Sequence, residues 1–284
     1  MSFARISIIG LGMIGGSVAM AIRARLSDCE ITAYDLNAKA MEEAVAARAI
    51  HHTAHSAAKA CDGADCVILC VPVGGMAEVL GLIAGHLKPG AVVTDVCSTK
   101  RTIVATAGRL LPAGVHFVGS HPMAGRELSG FAAARPDLLT GTLCLTTPID
   151  QTDPASLEKV EFLWRSLGAK TVRLSPAEHD RLVAQISHLP HLLASALIKS
   201  VTDDAIAIAG AGFRDTTRVA AGDGALWRDI LLDNADAVRA SLRRFRDELD
   251  RVEGMLESGK TEELSAWLSA AANLRRAAGS ASRH

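Results

Sequence analysis

Residues 5–16, RISIIGLGMIGG, decide the fold. Arg5–Ile9 is a short, largely β-branched run, and Gly10-Leu11-Gly12-Met13-Ile14-Gly15 follows it at once before a helical Met13–Leu26. A GxGxxG by itself is a weak signal. Here it joins a strand to a helix, and Asp35 lies twenty residues past Gly15 at the end of a second strand, Glu30–Tyr34. That context is what a dinucleotide-binding turn requires. Gly10 permits the tight turn, Gly12 lets the backbone approach a pyrophosphate, and Gly15 with Gly16 lets helix and strand pack closely. The pyrophosphate would rest on the free N–H groups of the helix N-terminus. Asp35 would accept hydrogen bonds from the ribose hydroxyls. Asp35-Leu36-Asn37-Ala38 offers no basic residue to a 2′-phosphate, so NAD is favoured over NADP. Val71-Pro72, at the end of a later strand, is expected under the nicotinamide ribose.

Working outward, apolar runs alternate with amphipathic segments. Cys66–Val71, Ala91–Val96, Val115–Gly119, Thr142–Thr146 and Lys170–Leu174 read as strands; Ala38–Ala47, Met76–Leu87, Arg101–Leu111 and Pro154–Leu167 read as helices. Uninterrupted apolar strands alternating with helices predict a parallel sheet covered on both faces. The fold class is therefore α/β, with an N-terminal Rossmann-type doubly wound sheet over residues 1–174. From Ser175-Pro176 onward strand signals stop, and residues 175–284 are expected to form an all-helical domain, beginning at a proline suited to the first helical position. Ala225–Leu256 carries a heptad seam, Leu231, Ala235, Val238, Leu242, Phe245, Leu249, Val252 and Leu256. It predicts one long helix whose seam is an intrachain core or, given its length, a dimer interface. The Ala/Ser/Arg-rich tail after Asn273 reads as frayed.

Composition narrows the function. With 30 Lys+Arg against 31 Asp+Glu and 4% aromatics, the chain has neither the positive surplus nor the stacking residues of a nucleic-acid binder. The uncharged stretch Ile6–Ile22 is interrupted by glycines and is followed by Arg23 and Arg25, which excludes a membrane span or leader as its reading. Six cysteines without a CxxC read as small buried hydrophobes, and the cytoplasm is the expected compartment. His51, His52 and His55 read as solvated loop residues, and no residue set has metal-ligand spacing.

Two segments carry the chemistry. Ser98-Thr99-Lys100 follows the strand ending at Val96, and His121 in Gly119-Ser120-His121-Pro122-Met123-Ala124-Gly125 follows the next. Both reach the sheet edge that holds the glycine turn. A histidine beside a nicotinamide is a candidate general base, because its pKa lies near operating pH.

Together GLGMIGGS, DVCSTK, GSHPMAG, SHLPHLLA and FRDTTRVAAGDGALWRDI resemble the prephenate/arogenate dehydrogenase family of tyrosine biosynthesis, in order, over about residues 5 to 257. The resemblance implies NAD(P)-dependent oxidative decarboxylation of a 4-hydroxycyclohexadiene dicarboxylate, and a homodimer built through the helical domain. It implies His121 as base, Ser98 as a residue orienting the substrate hydroxyl and the nicotinamide, and Arg218 as the carboxylate-gripping arginine. His188, His191, Trp227 and Asp215 match further pocket positions. Arg126 and Glu127 bear on keto acid against ammonium: Glu127 would hold the ammonium of arogenate, Arg126 would favour prephenate. Rival readings are a β-hydroxyacid dehydrogenase, which uses a lysine base (Lys199 is the only lysine between the HLPH element and Lys260), and a non-catalytic NAD-binding protein.

Overall fold

A computed structural model of the chain describes residues 3–125 and 128–281. β1 (Arg5–Ile9), α1 (Met13–Arg25), β2 (Glu30–Tyr34) and α2 (Ala38–Ala46) open it, followed by β3 (His52–Thr53), α3 (Ala57–Ala60), β4 (Cys66–Leu69) and α4 (Met76–Ile83). Next come β5 (Val92–Asp95), α5 (Arg101–Leu110), β6 (His116–Pro122), β7 (Leu143–Thr147), α6 (Pro154–Ser166) and β8 (Lys170–Arg173). The strands form one eight-stranded sheet in the order β3-β2-β1-β4-β5-β6-β7-β8.

Strand burial explains the uninterrupted apolar runs. In β4, Cys66 and Ile68 join the apolar cluster containing Val18, Ile22, Leu157 and Trp164 of α1 and α6. Val67 and Leu69 join the opposite cluster, with Leu80 and Ile83 of α4 and Ile103 and Ala107 of α5. The central strands β1, β4 and β5 thus feed two cores, as a sheet covered on both faces must.

One part of the expectation needs correction. The sheet is mixed, not wholly parallel: β7 runs antiparallel to β6, while β6 pairs parallel with β5 and β8 parallel with β7. A parallel return needs a crossover, usually a helix. Between β6 and β7 the described residues hold only a short 3₁₀ turn, Phe131–Ala133, so the chain comes back antiparallel. A second correction concerns His52, which lies in the edge strand β3 and not in a loop. His51, His52 and His55 are all exposed as expected, and His51 Nδ1 accepts a hydrogen bond from the Ile31 N–H (2.9 Å).

Every element described past Arg173 is helical: α7 (Pro176–Val183), a wider π turn (Ala184–His188), α8 (Leu189–Ser200), α9 (Asp203–Ala207), α10 (Ala211–Thr217), a 3₁₀ turn (Arg218–Ala221), α11 (Gly224–Asp233), α12 (Ala235–Glu257) and α13 (Thr261–Ala281). Ser175 caps α7 through its hydroxyl to the Glu178 N–H, with Pro176 in the first turn. The chain divides into two compact units after Ala235. The long helix expected over Ala225–Leu256 is broken, because Asn234 leaves helical geometry (φ −110°, ψ 27°) between α11 and α12. The frayed tail expected after Asn273 is instead part of α13, whose alanine-rich sequence favours helix. No helix among the described residues is long and apolar enough to cross a membrane.

Candidate active site

The glycine turn is shaped by close contacts. Gly10 adopts φ +99°, and a Cβ there would stand 2.5 Å from the Cys70 carbonyl oxygen. A Cβ on Gly15 would lie 2.0 Å from the Gly10 carbonyl oxygen, so α1 can start this close to β1 only with glycine. Around Gly12, the residue preceding α1, a Cβ would meet nothing within 4 Å among the described residues. That open space at a helix N-terminus is what a phosphate needs for close approach. Asp35 closes the turn from the far side: its carboxylate accepts the Leu11 N–H (2.6 Å) and the Asn37 N–H (2.7 Å). The turn and its acidic residue therefore suit a dinucleotide. Met13 and Ile14 begin α1, and Val71 and Pro72 follow β4 at the same edge of the sheet.

His121 stands near the C-terminal end of β6, at the sheet edge carrying the glycine turn. It is 7% exposed, and β6 continues past it to Pro122 instead of ending at Gly119 as the sequence suggests. A connected polar cluster surrounds it. His121 Nδ1 lies 2.9 Å from His179 Nε2, and His179 Nδ1 lies 2.8 Å from Asp180 Oδ1. The Asp180 carboxylate also accepts the N–H groups of Lys100 (2.8 Å) and Arg101 (2.9 Å). Lys100, fully buried, donates to Asp95 Oδ2 (2.5 Å) and the Thr99 carbonyl (2.8 Å). Asp95 in turn accepts the N–H groups of Cys97 and Ser120, both at 3.0 Å. A buried charge pair of this kind survives because its remaining lone pairs are satisfied. It binds the Ser98 loop to the strand bearing His121.

The electrostatics keep the imidazoles neutral. Burial lowers the His121 pKa well below the usual range, and the repulsion that protonated His179, the Lys100 ammonium and protonated His188 would each exert on an imidazolium acts in the same direction. His188 is lowered to about 4, chiefly by burial, and the Ser98 backbone lies against it. Burial lowers His191 as well. His188 Nδ1 faces the Asn234 amide nitrogen (3.2 Å), which can only donate, so His188 carries its proton on Nε2. That Nε2 and Nδ1 of His191 are buried without a hydrogen-bond partner among the described residues. Trp227 stacks on His191 (centroids 3.6 Å apart, planes at 11°) and stands edge-on to His188.

The structure thus brings His121, the Ser98 loop, His188, His191 and Trp227 into one connected region. Arg218, on the 3₁₀ turn packed against α8, and Asp215 are exposed. Glu127, with Arg126, lies outside the described residues. Sequence reading gave no role at the site to Asp95, His179, Asp180 or Asn234, and none to Lys100 beyond its place in Ser98-Thr99-Lys100. Most of their partners are remote in sequence, so no local spacing reveals them.

A strand–glycine turn–helix closed by an acidic residue, with a buried histidine at the same sheet edge, defines a dinucleotide-binding oxidoreductase. A family profile for the nucleotide-binding domain of prephenate dehydrogenase matches residues 18–173, and one for its dimerization domain matches residues 175–270. The chain belongs to the prephenate dehydrogenase family. It is 33% identical to prephenate dehydrogenase of Bacillus subtilis (strain 168), over 95% of this chain and 75% of that protein. It is 33% identical to cyclohexadienyl dehydrogenase of Zymomonas mobilis, over 90% of this chain and 89% of that one. Among solved structures, prephenate dehydrogenase from A. aeolicus in complex with hydroxyphenyl propionate and NAD+ superposes with a TM-score of 0.92 at 32% identity, covering 97% of this chain and 98% of that one.

Proposed function

We propose that this chain is an NAD-dependent prephenate dehydrogenase, converting prephenate to 4-hydroxyphenylpyruvate and CO₂. The observation that carries the reading is the convergence of buried, neutral His121 with the Ser98 loop and His188, at the sheet edge that bears the glycine turn. Gly10, Gly12 and Gly15, with the backbone of Leu11, Met13 and Ile14, would hold the pyrophosphate; Asp35 the adenosine ribose; Val71, Pro72 and Ser98 the nicotinamide side. When bound, NAD supplies the hydride acceptor.

The residues of this chain do the remainder. As C4 of the substrate ring becomes a carbonyl carbon, its hydroxyl sheds a proton, and neutral His121 accepts it. General base catalysis of this kind contributes roughly 10²–10⁴-fold. Ser98 orients the same hydroxyl. Loss of the ring carboxylate as CO₂ leaves its bonding electron pair in the ring, which becomes an aromatic phenolate, and the proton held by His121 returns to that oxygen to give the phenol. Arg218 grips a substrate carboxylate through its guanidinium fork. The orphaned His188 Nε2–H and the His191–Trp227 stack supply a buried donor and an apolar wall for the ring, with Asp215 at the margin. This site draws on both sequence domains, 1–174 and 175–284.

The partly exposed seam supports a homodimer formed through the helical domain: Val238 is buried, yet Leu249 and Leu256 are 52% and 63% exposed. Six free cysteines suit a reducing cytoplasm. NADH formation measured with prephenate and arogenate side by side, each with NAD and NADP, tests the assignment. Turnover of prephenate with NAD is expected. Turnover of arogenate alone would reassign the substrate, and turnover of neither would end the reading.

A further inference from the structure

The catalytic proposal leaves His179 and Asp180 without a role, although both are buried and joined to His121. We propose that they are positioning residues: a hydrogen-bonded chain, Asp180–His179–His121, holds His121 as its Nδ1–H tautomer and leaves the Nε2 lone pair as the base. The inference rests on His121 being the base and specifies which of its nitrogens acts.

The argument is a count of donors and acceptors. Asp180 accepts the backbone N–H groups of Lys100 and Arg101, and the Arg101 Nε stands 3.4 Å from Oδ2. Burial pushes its carboxyl up, but hydrogen bonds from His179 and from these backbone groups outweigh burial and leave it below the usual range. An ionised carboxylate only accepts, so His179 Nδ1 must carry the proton between them (2.8 Å). His179 is itself kept neutral, with burial outweighing the attraction of Asp180. Its Nε2 is therefore a lone pair and can only accept. The atom 2.9 Å away, His121 Nδ1, must then be the donor. His121 is neutral too, so its second nitrogen, Nε2, is the free base.

The chain is fixed at its Asp180 end. Asp180 Oδ1 and Oδ2 are tied to the first turn of α5, and the Asp180 carbonyl accepts the Asn234 side-chain amide (2.8 Å). When Nε2 takes a proton, the new imidazolium charge is compensated through His179 by the Asp180 carboxylate. In serine-protease triads a carboxylate sets the tautomer of its histidine in this way, and its amide replacement yields the wrong one. Here a second imidazole stands between the two. The other charged or titratable groups beside His121 are Lys100 and Asp95 from the β5–α5 junction, His188 from the π turn, and the Cys144 thiol from β7.

Two measurements test it. In the wild-type enzyme labelled with ¹⁵N-histidine, ring-nitrogen chemical shifts at neutral pH should show both His121 and His179 protonated on Nδ1, with assignments made from His121→Asn and His179→Gln. A His121 protonated on Nε2 would overturn the proposal, and this readout needs no turnover. In Asp180→Asn, kcat should fall by about a hundredfold with KM for prephenate and NAD affinity unchanged. Loss of the carboxylate disfavours the imidazolium, so the acidic limb of kcat/KM should also move to lower pH, by about one unit. A fold defect alone would reduce activity and leave that limb in place; an unmoved limb counts against the chain. Absence of NADH formation by the wild type would defeat the functional reading while leaving the tautomer result intact.

Discussion

Asp35 fixes the glycine turn and, in the proposed site, also meets the cofactor. Its two oxygens hold the Leu11 and Asn37 N–H groups, which fixes the glycine turn, and each retains a lone pair for a ribose hydroxyl. Asp35→Ser should weaken NAD binding about tenfold while NADP binding changes less, measured by titration of each cofactor; an unaltered NAD/NADP ratio would remove Asp35 from the site. Arg218→Gln keeps a donor but loses the charge and the fork. It should raise KM for prephenate roughly ten- to a hundredfold, with a smaller fall in kcat and unchanged NAD affinity. At this scale the sequence was readable wherever backbone geometry follows local spacing, as in the turn formed by Gly10, Gly12 and Gly15. It was opaque wherever a partner is remote: Asp180 meets the Lys100 N–H across 80 positions, and no local pattern announces that pairing.

Among the elements, the break between α11 and α12 matters most for the site. The heptad seam continues through it, so periodicity alone predicts one helix. Asn234 ends α11 because its buried side chain is committed elsewhere, to the Asp180 carbonyl and to His188 Nδ1. Asn234→Ala should remove both contacts and leave a buried carbonyl unpaired, lowering unfolding stability by roughly 1–3 kcal/mol. Denaturant melts check this; a variant as stable as the parent would mean that the helix break is set by other contacts. The reversal at β7 was likewise hidden, because strand signals carry no direction and only the want of a crossover helix reveals it. The alternation of β1, β2, β4, β5 and β6 with α1, α2, α4 and α5 was legible, since buried strands leave uninterrupted apolar runs, whereas the two-residue β3 and one-turn α3 were too short to leave a pattern.

For the molecule as a whole, three buried histidines make the fold sensitive to acid. His121, His179 and His188 are all lowered by burial, His188 from 6.5 to about 4. Between these values the unfolded chain binds protons that the native state refuses, so stability is full above pH 6.5 and falls as pH drops towards 4. Each such histidine adds about 1.4 kcal/mol per pH unit to that slope. Thermal melts should show a steady Tm above neutrality and a steep decline below pH 6.5, and a Tm unchanged down to pH 5 would contradict the neutral cluster. The cluster exists, in this account, to keep one imidazole uncharged at the dinucleotide edge. The most direct test is steady-state turnover of His121→Asn with prephenate and NAD. The expected kcat is at least about a hundredfold below wild type with KM little changed, as for an interaction strongest in the transition state. A kcat close to wild type would show His121 to be structural and contradict the account.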